Sequence, residues 1–215
     1  MSNATKLSRR AILAGLPLLV AGCGQGPDGM EWFPGGGGGY GAIEDNGITV
    51  PAIDTTTIDP SLLRSRVSWR GTQKPGSIVV NVAERRVYLI LDGGSALRYG
   101  CGVGRSEAVN FHGSAVIGRK EKWPRWIPTA EMMAAMPRYR AYAGGLPGGL
   151  DNPLGARALY LYRDGRDSYF RLHGTNEPQS IGHAVSSGCI RLFNQDIIDL
   201  YSRVPVGTHV TVVQS

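Results

Sequence analysis

Cysteine, histidine and long apolar runs are all scarce in this sequence. Its 215 residues include three cysteines and four histidines, and aromatic residues make up only 8%. The apolar run near the N-terminus, Ala11 to Ala21, is too short to cross a bilayer as an ordinary transmembrane helix. No stripe of basic and aromatic residues is present, so the sequence does not favour a nucleic-acid partner. No internal repeat is visible.

The first residues have the features of an export signal. Lys6, Arg9 and Arg10 precede the apolar run, and small residues follow it up to Cys23. The stretch "SRRAIL" resembles a twin-arginine signal, with a Sec signal as the alternative, and "VAGC" resembles the lipobox whose cysteine is acylated in bacterial lipoproteins. We therefore expect a signal peptide over residues 1–22. The mature protein is expected to be an exported, periplasmic lipoprotein, held to a membrane through Cys23.

The charge of the chain is less informative than it first looks. The formal net charge is +6, with 23 Lys and Arg against 17 Asp and Glu. Residues 1–22 contain three of the cations and none of the anions, so 20 cations against 17 anions leave +3. This mild excess does not point to a polyanionic partner. With 42% apolar residues, the chain is long enough to bury one large core.

Residues 23–76 differ in composition from the rest of the chain. They are rich in Gly, Pro, Asp and Thr, include "PGGGGGYG", and show no sustained hydrophobic period. Such a segment buries too little apolar surface to offset the entropy lost on ordering. We therefore expect a lipid-anchored flexible tether over residues 23–76, followed by one folded domain over residues 77–215.

Short strand patterns separated by turn residues dominate the chain after residue 76. Strands are expected at residues 77–82, 86–91, 114–118, 158–163, 168–173 and 209–214, the first two as a hairpin. Helices are expected from Thr129 and from Asn194, with Asn194 as the N-cap and Ile197, Ile198 and Tyr201 on one face. Because strands and helices do not alternate regularly, we predict a mainly β, antiparallel, sandwich-like domain with a few short helices.

Two chemistries compete for the stretch "HGTNEPQSIGHAVSSGCIRL", which runs from His173 to Leu192. His173, His183 and Cys189 could ligate zinc, but their gaps of ten and six residues fit none of the close-paired spacings of structural zinc sites. We therefore expect no metal. A thiol nucleophile needs only a base within reach and backbone donors for the oxyanion, and the loop from His173 to Cys189 is long enough to return to a neighbouring strand.

The residues around Cys189 fit the nucleophile interpretation. Gly188 permits a tight turn in which the N–H groups of Gly188 and Cys189 converge on one oxygen. A neighbouring imidazole and the cation Arg191 are expected to increase the reactive thiolate fraction. Cys101 follows an alternating run and is expected to be a small buried apolar residue, while a disulfide between Cys101 and Cys189 in an oxidising compartment stays open.

Three pieces of the stretch resemble a known catalytic signature. "HGT" at His173 to Thr175, "SIG" at Ser180 to Gly182 and "SSGCIRL" at Ser186 to Leu192 are similar to the YkuD-type L,D-transpeptidases, which crosslink bacterial peptidoglycan. The similarity runs from about residue 77 to residue 213. One departure is Ser187, where many members have histidine, and this position varies in the family.

The resemblance implies a role for each matching position. Cys189 corresponds to the acyl-accepting nucleophile and His173 to its general base, whose imidazole would be oriented by the Gly174 carbonyl. Ser186 and Gly188 correspond to residues that shape the nucleophile turn, and Arg191 to the arginine that follows it. Loops over residues 104–155 are expected to form the walls of the site. Candidate substrate contacts are Thr175, Tyr99, Phe111, Trp123, Trp126 and Asn152.

The implied reaction is acyl transfer between peptidoglycan stem peptides, without a cofactor. The thiolate would form a thioester with a donor tetrapeptide and release D-alanine. An amine of a second stem would then give a 3→3 crosslink, or a lysine of an outer-membrane protein or lipoprotein would be attached to the wall. Two alternatives stay open, namely an L,D-carboxypeptidase that uses water as acceptor and a non-catalytic lipoprotein that binds peptidoglycan.

Overall fold

The computed structural model describes Met1 and residues 39–214. The predicted signal peptide, Cys23 and the predicted tether up to residue 38 lie outside the described residues. The strands are β1 (Ile43–Asp45), β2 (Ile48–Val50), β3 (Ser65–Ser68), β4 (Ile78–Asn81), β5 (Arg86–Leu91), β6 (Ser95–Gly100), β7 (Val103–Gly104), β8 (Gly113–Lys122), β9 (Arg157–Arg163), β10 (Arg166–His173), β11 (Ala184–Ser186), β12 (Ile190–Arg191) and β13 (His209–Val213). The α-helices are α1 (Ala130–Ala135) and α2 (Asn194–Arg203). Short 3-10 helices cover Thr55–Thr57, Pro60–Leu62, Glu107–Val109, Pro137–Tyr142 and Pro178–Ser180.

A nine-stranded sheet organises the domain, in the order β12-β10-β9-β8-β13-β4-β5-β6-β3. Strands β1 and β2 form a separate hairpin, and β7 pairs with β11. Most pairings are antiparallel, but β4 with β13, β7 with β11 and β10 with β12 are parallel. The predicted mainly β fold with a few short helices is confirmed. Among residues 39–214, no helix has both the length and the apolar composition needed to cross a membrane.

One hydrophobic core lies against the sheet from its β12 end to β6. Alternate residues of successive strands reach it, and α2 covers it with Ile197 and Leu200. Leu172 of β10 and Ile190 of β12 are both fully buried in this core and face each other in the pairing of the two strands. The side chains that alternate with them therefore point to the other side of these strands. This arrangement places His173 and Arg191 next to each other.

The predicted helix at residue 194 is present, but its start differs from the prediction. Phe193 is the N-cap, so the assignment of Asn194 as the cap was wrong. The Asn194 side chain instead accepts a hydrogen bond from the Ala156 N–H at 3.0 Å and donates one to the Thr175 carbonyl at 2.9 Å. The side-chain amide of Asn194 is therefore bonded to backbone groups of other segments and does not cap the helix. Ile197 is buried as expected, whereas Ile198 and Tyr201 are only partly buried.

The predicted tether is wrong for the part that follows residue 39. Residues 40–64, which we call the strap, contain β1 and β2 and pack on the domain, and β3 then pairs with β6 in the large sheet. Tyr40 is 3% exposed and forms a cluster with Ile181 and Phe193 of the domain. The apolar residues of the strap show no regular period because they fit an irregular surface formed by other parts of the chain. This is why composition alone suggested a flexible segment.

Candidate active site

Cys189 lies at the end of a tight turn, immediately before β12. It is a free, half-buried thiol. Gly188 has a φ of 125°, and a Cβ there would come within 2.1 Å of the Val109 carbonyl oxygen, so only glycine fits without strain. The buried Ser186 hydroxyl accepts a hydrogen bond from the Gly188 N–H at 3.0 Å and donates one to the Cys189 carbonyl at 2.7 Å. Ser186 thus closes the turn that presents the thiol.

His173 is the last residue of β10 and is 4% exposed. Its Nδ1 lies 2.6 Å from the Gly174 carbonyl oxygen, which can only accept a hydrogen bond. The proton of the neutral ring is therefore on Nδ1, and Nε2 is left with a free lone pair. This is the tautomer that a general base needs.

Parallel pairing of β10 with β12 brings His173 and Cys189 together. His173 is directly opposite Arg191, and Cys189 comes two residues before Arg191. Arg171 and Arg191 both affect the ionisation of the imidazole and of the thiol. Two cations are therefore close to the pair. The structure therefore places the predicted nucleophile and the predicted base on one side of neighbouring strands.

The ionisation of the pair differs from the expected increase in the thiolate fraction of Cys189. Burial and the nearby Arg191 charge lower the pKa of His173 from 6.5 to about 3, although its bond to the Gly174 carbonyl opposes this shift. Burial raises the pKa of the Cys189 thiol, and the positive charge of Arg171 offsets only part of the rise. Near neutral pH the resting pair is therefore an uncharged thiol beside an uncharged imidazole.

The predicted pair of oxyanion donors also needs a correction. The Gly188 N–H is already bonded to Ser186 and does not point into open space. Within the described part of the chain, the Cys189 N–H makes no hydrogen bond to another residue. One free main-chain donor therefore lies beside the thiol, where two were expected.

A bulge in β10 places Tyr169 beside Cys189. The register of β10 against β9 shifts between Asp167 and Arg171, and Tyr169 in the bulge has a φ of 63°. The Asp167 carboxylate accepts the Tyr169 N–H at 2.8 Å, which holds this left-handed conformation. The Tyr169 side chain is 79% exposed, and its carbonyl oxygen lies 3.9 Å from the Cys189 Sγ. Bulges next to reacting groups commonly redirect a side chain.

Sequence reasoning missed both Tyr169 and Arg171. For Arg171 a signal existed, since it precedes His173 by two residues in a strand and therefore lies on the same face. For Tyr169 no signal existed, because the alternation of "SYFRLH" gives no indication of a bulge. The backbone N–H of Arg171 is also hydrogen-bonded to the Cys189 sulfur and opposes the rise of its pKa.

An open cleft of about 540 Å³ adjoins the nucleophile turn. Phe170 borders it, and the Phe170 ring also lies against Gly188. Phe111 packs edge-on against Phe170 at 5.3 Å between ring centroids. The other residues that line the cleft include His112, Arg163, Arg166 and Asp167. The cleft thus combines an aromatic wall with charges of both signs.

Three predicted substrate contacts turn out to be internal. Tyr99 is fully buried in the core and donates its hydroxyl proton to Asp199 at 2.7 Å. Asn152 is 1% exposed, and its side-chain amide donates to the Pro124 carbonyl at 3.0 Å. Thr175 is 3% exposed, and its hydroxyl accepts the Glu177 N–H at 3.0 Å. Their polar atoms are used within the protein, so their assignment as substrate contacts was wrong.

The two tryptophans of the 104–155 region also have internal partners. Trp126 is 7% exposed and packs edge-on against Tyr139 at 5.2 Å. The Trp123 Nε1–H donates to the Asp45 carboxylate at 2.7 Å, which ties this region to the strap. Phe111 is the predicted contact from this region that borders the cleft.

Other features of the site concern metals and thiols. Among the described residues, no group of three or more His, Cys, Asp or Glu side chains is arranged to hold a metal ion. Cys101 is fully buried, as expected, and burial raises the pKa of its thiol to about 12. Cys101 and Cys189 are both free. Arg191 is bonded to Glu177 at 2.7 Å, so its charge near His173 is partly compensated.

Comparisons with known proteins identify the family of this chain. The family model of the L,D-transpeptidase catalytic domain (YkuD) matches residues 75–212. The chain is 40% identical over 144 residues to the probable L,D-transpeptidase YbiS of Escherichia coli K12, covering 63% of this chain and 44% of that relative. It is 31% identical to a putative L,D-transpeptidase of Fuscovulum blasticum, covering 77% of this chain and 88% of that one.

A solved structure from Brucella melitensis, named as a probable carnitine operon oxidoreductase, is also similar. It shares 43% identity, covers 74% of this chain and 99% of its own, and superposes with a TM-score of 0.50. The fold and the site define a mainly β domain with a histidine at the end of one strand and a cysteine just before the neighbouring strand. This chain belongs to the L,D-transpeptidase catalytic domain family. It spans less than half the length of YbiS.

Proposed function

We propose that this protein is a cysteine-dependent L,D-transpeptidase that acts on the tetrapeptide stems of bacterial peptidoglycan. One observation carries the proposal. His173 ends β10, Cys189 immediately precedes the parallel neighbour β12, and the His173 Nδ1–H is bonded to the Gly174 carbonyl so that Nε2 can act as a base. Membership of the L,D-transpeptidase family supports this choice of reaction and substrate.

Acylation begins from the uncharged pair. As the Cys189 sulfur attacks the carbonyl carbon of the third, diamino-acid residue of the stem, the His173 Nε2 takes the thiol proton. The S–C bond forms, the C–N bond to the terminal D-alanine breaks, and the imidazolium returns the proton to the leaving amine. The products are a thioester and D-alanine.

Charge stabilisation in this reaction depends on few groups. The Cys189 N–H, which makes no hydrogen bond within the described part of the chain, is available to the negative oxygen of the tetrahedral intermediate. Arg171 and Arg191 add positive potential close to the reacting atoms, since both act on the ionisation of Cys189. These groups need no metal or organic cofactor to complete the reaction.

An amine acceptor completes the transfer. The side-chain amine of a second stem attacks the thioester, His173 accepts its proton, and the thiol of Cys189 is released, which gives a 3→3 crosslink. A lysine of a wall-attached protein reacts in the same way. With water as the acceptor, the same intermediate gives a shortened stem, which is the carboxypeptidase alternative.

Removal of the thiol tests the proposal directly. With purified tetrapeptide stems and an amine acceptor, Cys189→Ala is expected to reduce D-alanine release by about 10³-fold or more while the protein stays folded. Cys101→Ala is the matched control, because it removes a fully buried thiol and should leave the rate per folded molecule unchanged. Full activity of Cys189→Ala would falsify the proposal.

Mass spectrometry of the products separates the alternatives. Dimers joined through the third residues support transpeptidation, whereas trimmed tripeptides without dimers identify a carboxypeptidase. If wild-type protein releases no D-alanine but binds sacculi, the protein is a non-catalytic wall-binding protein. All three outcomes are measured on samples from the same incubation of protein with sacculi.

We further propose that the mature protein is exported and anchored to a membrane through an acylated Cys23. This proposal rests on the sequence "VAGC" and on the cationic start of the chain. Cell fractionation and intact-mass measurement of wild type and Cys23→Ser test it. A wild-type mass without acyl chains, or a membrane-bound Cys23→Ser, would contradict it.

A further inference from the structure

A buried ion pair joins the strap to the first residue of β9. Arg157 is 4% exposed, and its Nη1 and Nη2 donate to the two carboxylate oxygens of Asp45 at 2.6 and 2.7 Å. The hydrogen bonds from Arg157 hold the pKa of Asp45 below its usual value. A bidentate pair of this kind fixes the orientation of the guanidinium as well as its charge. Asp45 therefore helps to hold the Arg157 side chain in place, together with the Ala156 carbonyl and the Tyr201 ring.

The backbone of Arg157 leads from this ion pair to the catalytic base. The Gly174 N–H donates to the Arg157 carbonyl at 3.0 Å, and the Gly174 carbonyl accepts the His173 Nδ1–H at 2.6 Å. Ala158, the next residue of β9, is paired with His173 in the sheet. Three successive contacts thus connect the Asp45 carboxylate to the imidazole.

The Gly174 residue has little room to move by itself. A Cβ on Gly174 would lie 2.2 Å from the Asn194 Oδ1 and 3.0 Å from the Ala156 N. The Ala156 carbonyl accepts hydrogen bonds from the Trp123 N–H at 2.9 Å and from the Arg157 Nη1 at 2.7 Å. Because the chain around Gly174 is so closely packed, a displacement of the Arg157 segment is passed on to the carbonyl that orients the imidazole.

We propose that Asp45 of the strap is a positioning residue for His173, acting through Arg157 and through Gly174, whose N–H bonds to Arg157 and whose carbonyl orients the ring. The inference rests on the proposed function, in which His173 is the base. A carbonyl oxygen carries no net charge, so it orients an imidazole well only if the residue that carries it is held rigidly. Asp45 supplies that rigidity from outside the region that the family model matches, residues 75–212.

Loss of the Asp45 carboxylate leaves Arg157 charged and buried without its partner. The guanidinium then has to turn toward solvent or draw on other acceptors, and the nearest one is the Ala156 carbonyl that it already contacts. We expect the loss of the bidentate pair to shift the Arg157 backbone, and with it the acceptor of the Gly174 N–H. The imidazole should then lose its single tautomer and part of its orientation.

The first test compares Asp45→Asn with a variant of the neighbouring carboxylate. Glu44→Gln is the matched control, because the exposed Glu44 side chain lies on the opposite face of β1 and bonds to Thr49. We expect Asp45→Asn to reduce kcat for D-alanine release by roughly 10- to 100-fold, with a smaller change in KM. Glu44→Gln should match wild type, and Asp45→Glu should recover part of the loss.

The second test measures which nitrogen of the His173 imidazole is protonated. In ¹⁵N spectra, the wild-type His173 ring should show a protonated Nδ1 and an unprotonated Nε2, assigned by the missing signal in His173→Gln. In Asp45→Asn that ring should give averaged or doubled signals, which a purely structural ion pair would not cause. If Asp45→Asn does not fold, Arg157→Lys carries the same two tests, because it keeps the charge and loses the bidentate geometry.

The outcomes separate this inference from the proposed function. Folded Asp45→Asn with wild-type kcat and an unchanged His173 signature overturns the positioning role, even if Cys189→Ala is inactive. Failure of both Asp45→Asn and Arg157→Lys to fold also overturns it, because the ion pair then serves stability alone. If Cys189→Ala is fully active, the proposed function fails, while the ¹⁵N result still decides whether Asp45 orients the ring.

Discussion

The hydroxyl of Ser186 donates a hydrogen bond to the carbonyl of Cys189 at 2.7 Å, across the turn that ends at the thiol. The same oxygen accepts the Gly188 N–H at 3.0 Å, so one buried side chain closes the turn from both sides. Ser186 is itself fixed, because its carbonyl accepts the Arg105 N–H at 3.0 Å. The position of the Cys189 thiol therefore depends on the hydrogen bonds of Ser186.

Replacement of Ser186 by alanine should loosen this turn. The buried Gly188 N–H would lose its acceptor, at a cost of about 1–3 kcal/mol in the free energy of unfolding. The rate of D-alanine release should fall by about tenfold or more, because the thiol no longer has one position. Ser187→Ala is the control, since Ser187 is exposed. Equal rates for the two variants would show that Ser186 does not fix the thiol.

The pH dependence of thiol alkylation distinguishes an uncharged pair from an ion pair. Because burial raises the pKa of Cys189 and lowers that of His173 to about 3, the thiolate is scarce at neutral pH. The rate of iodoacetamide labelling of Cys189 should rise continuously as the pH increases through the alkaline range. An imidazolium–thiolate pair would instead give a plateau extending below neutral pH, and such a plateau would contradict our assignment. Cys189→Ala provides the background rate.

Tyr169 is expected to contact the donor stem. Tyr169→Gly removes the exposed ring and suits the positive φ of the bulge, so the free energy of unfolding should stay within about 1 kcal/mol of wild type. KM for the tetrapeptide should rise by roughly three- to tenfold, the size of one lost aromatic contact. Tyr169→Phe shows whether the ring or the hydroxyl matters. An unchanged KM in Tyr169→Gly would place the donor elsewhere.

A pH-dependent stability effect is expected at Asp196, where α2 contacts the strap. Burial raises the pKa of Asp196 to about 7, against the opposing effects of Arg64 and of the hydrogen bond from Tyr40. The folded state therefore binds this proton more tightly than the unfolded state, and the stability that it contributes is lost as the pH rises from about 4 to 7. Asp196→Asn is always uncharged, so relative to wild type it should gain on the order of a few kcal/mol between about pH 5 and pH 8.

Asp199 gives the opposite behaviour and serves as the comparison. Hydrogen bonds from Arg203 and Tyr99, with the nearby Arg64, outweigh burial and lower the pKa of Asp199. Asp199→Asn should therefore be less stable than wild type above about pH 4. Urea unfolding of both variants at two pH values measures the difference. If the free energy of unfolding of Asp196→Asn differs from that of wild type by the same amount at both pH values, Asp196 does not carry the expected proton.

Residues that act locally could be predicted from the sequence. The hairpin of β4 and β5 follows from alternating apolar residues around a turn, and the order of His173, Gly188 and Cys189 identified the family. These features depend on contacts between chain neighbours or on a short signature. Helix α2 was predicted for the same reason, from its apolar spacing.

Features that depend on distant partners could not be predicted. Asn194 has the side chain of an N-cap, but the backbone groups of Ala156 and Thr175 occupy it. Tyr99 looked like a loop-wall aromatic and lies in the core, where Asp199 satisfies its hydroxyl. The ionisation of His173 and Cys189 likewise reflects burial, which no local pattern reveals.

The pairing of β3 with β6 has a practical consequence for recombinant work. The family match begins at residue 75, so a fragment cut at that boundary would lack β3 and would leave β6 as a bare border of the sheet. Its unpaired N–H and C=O groups would offer a template for self-association. Expression trials that begin near residue 39 should thus yield monodisperse protein where the shorter fragment precipitates.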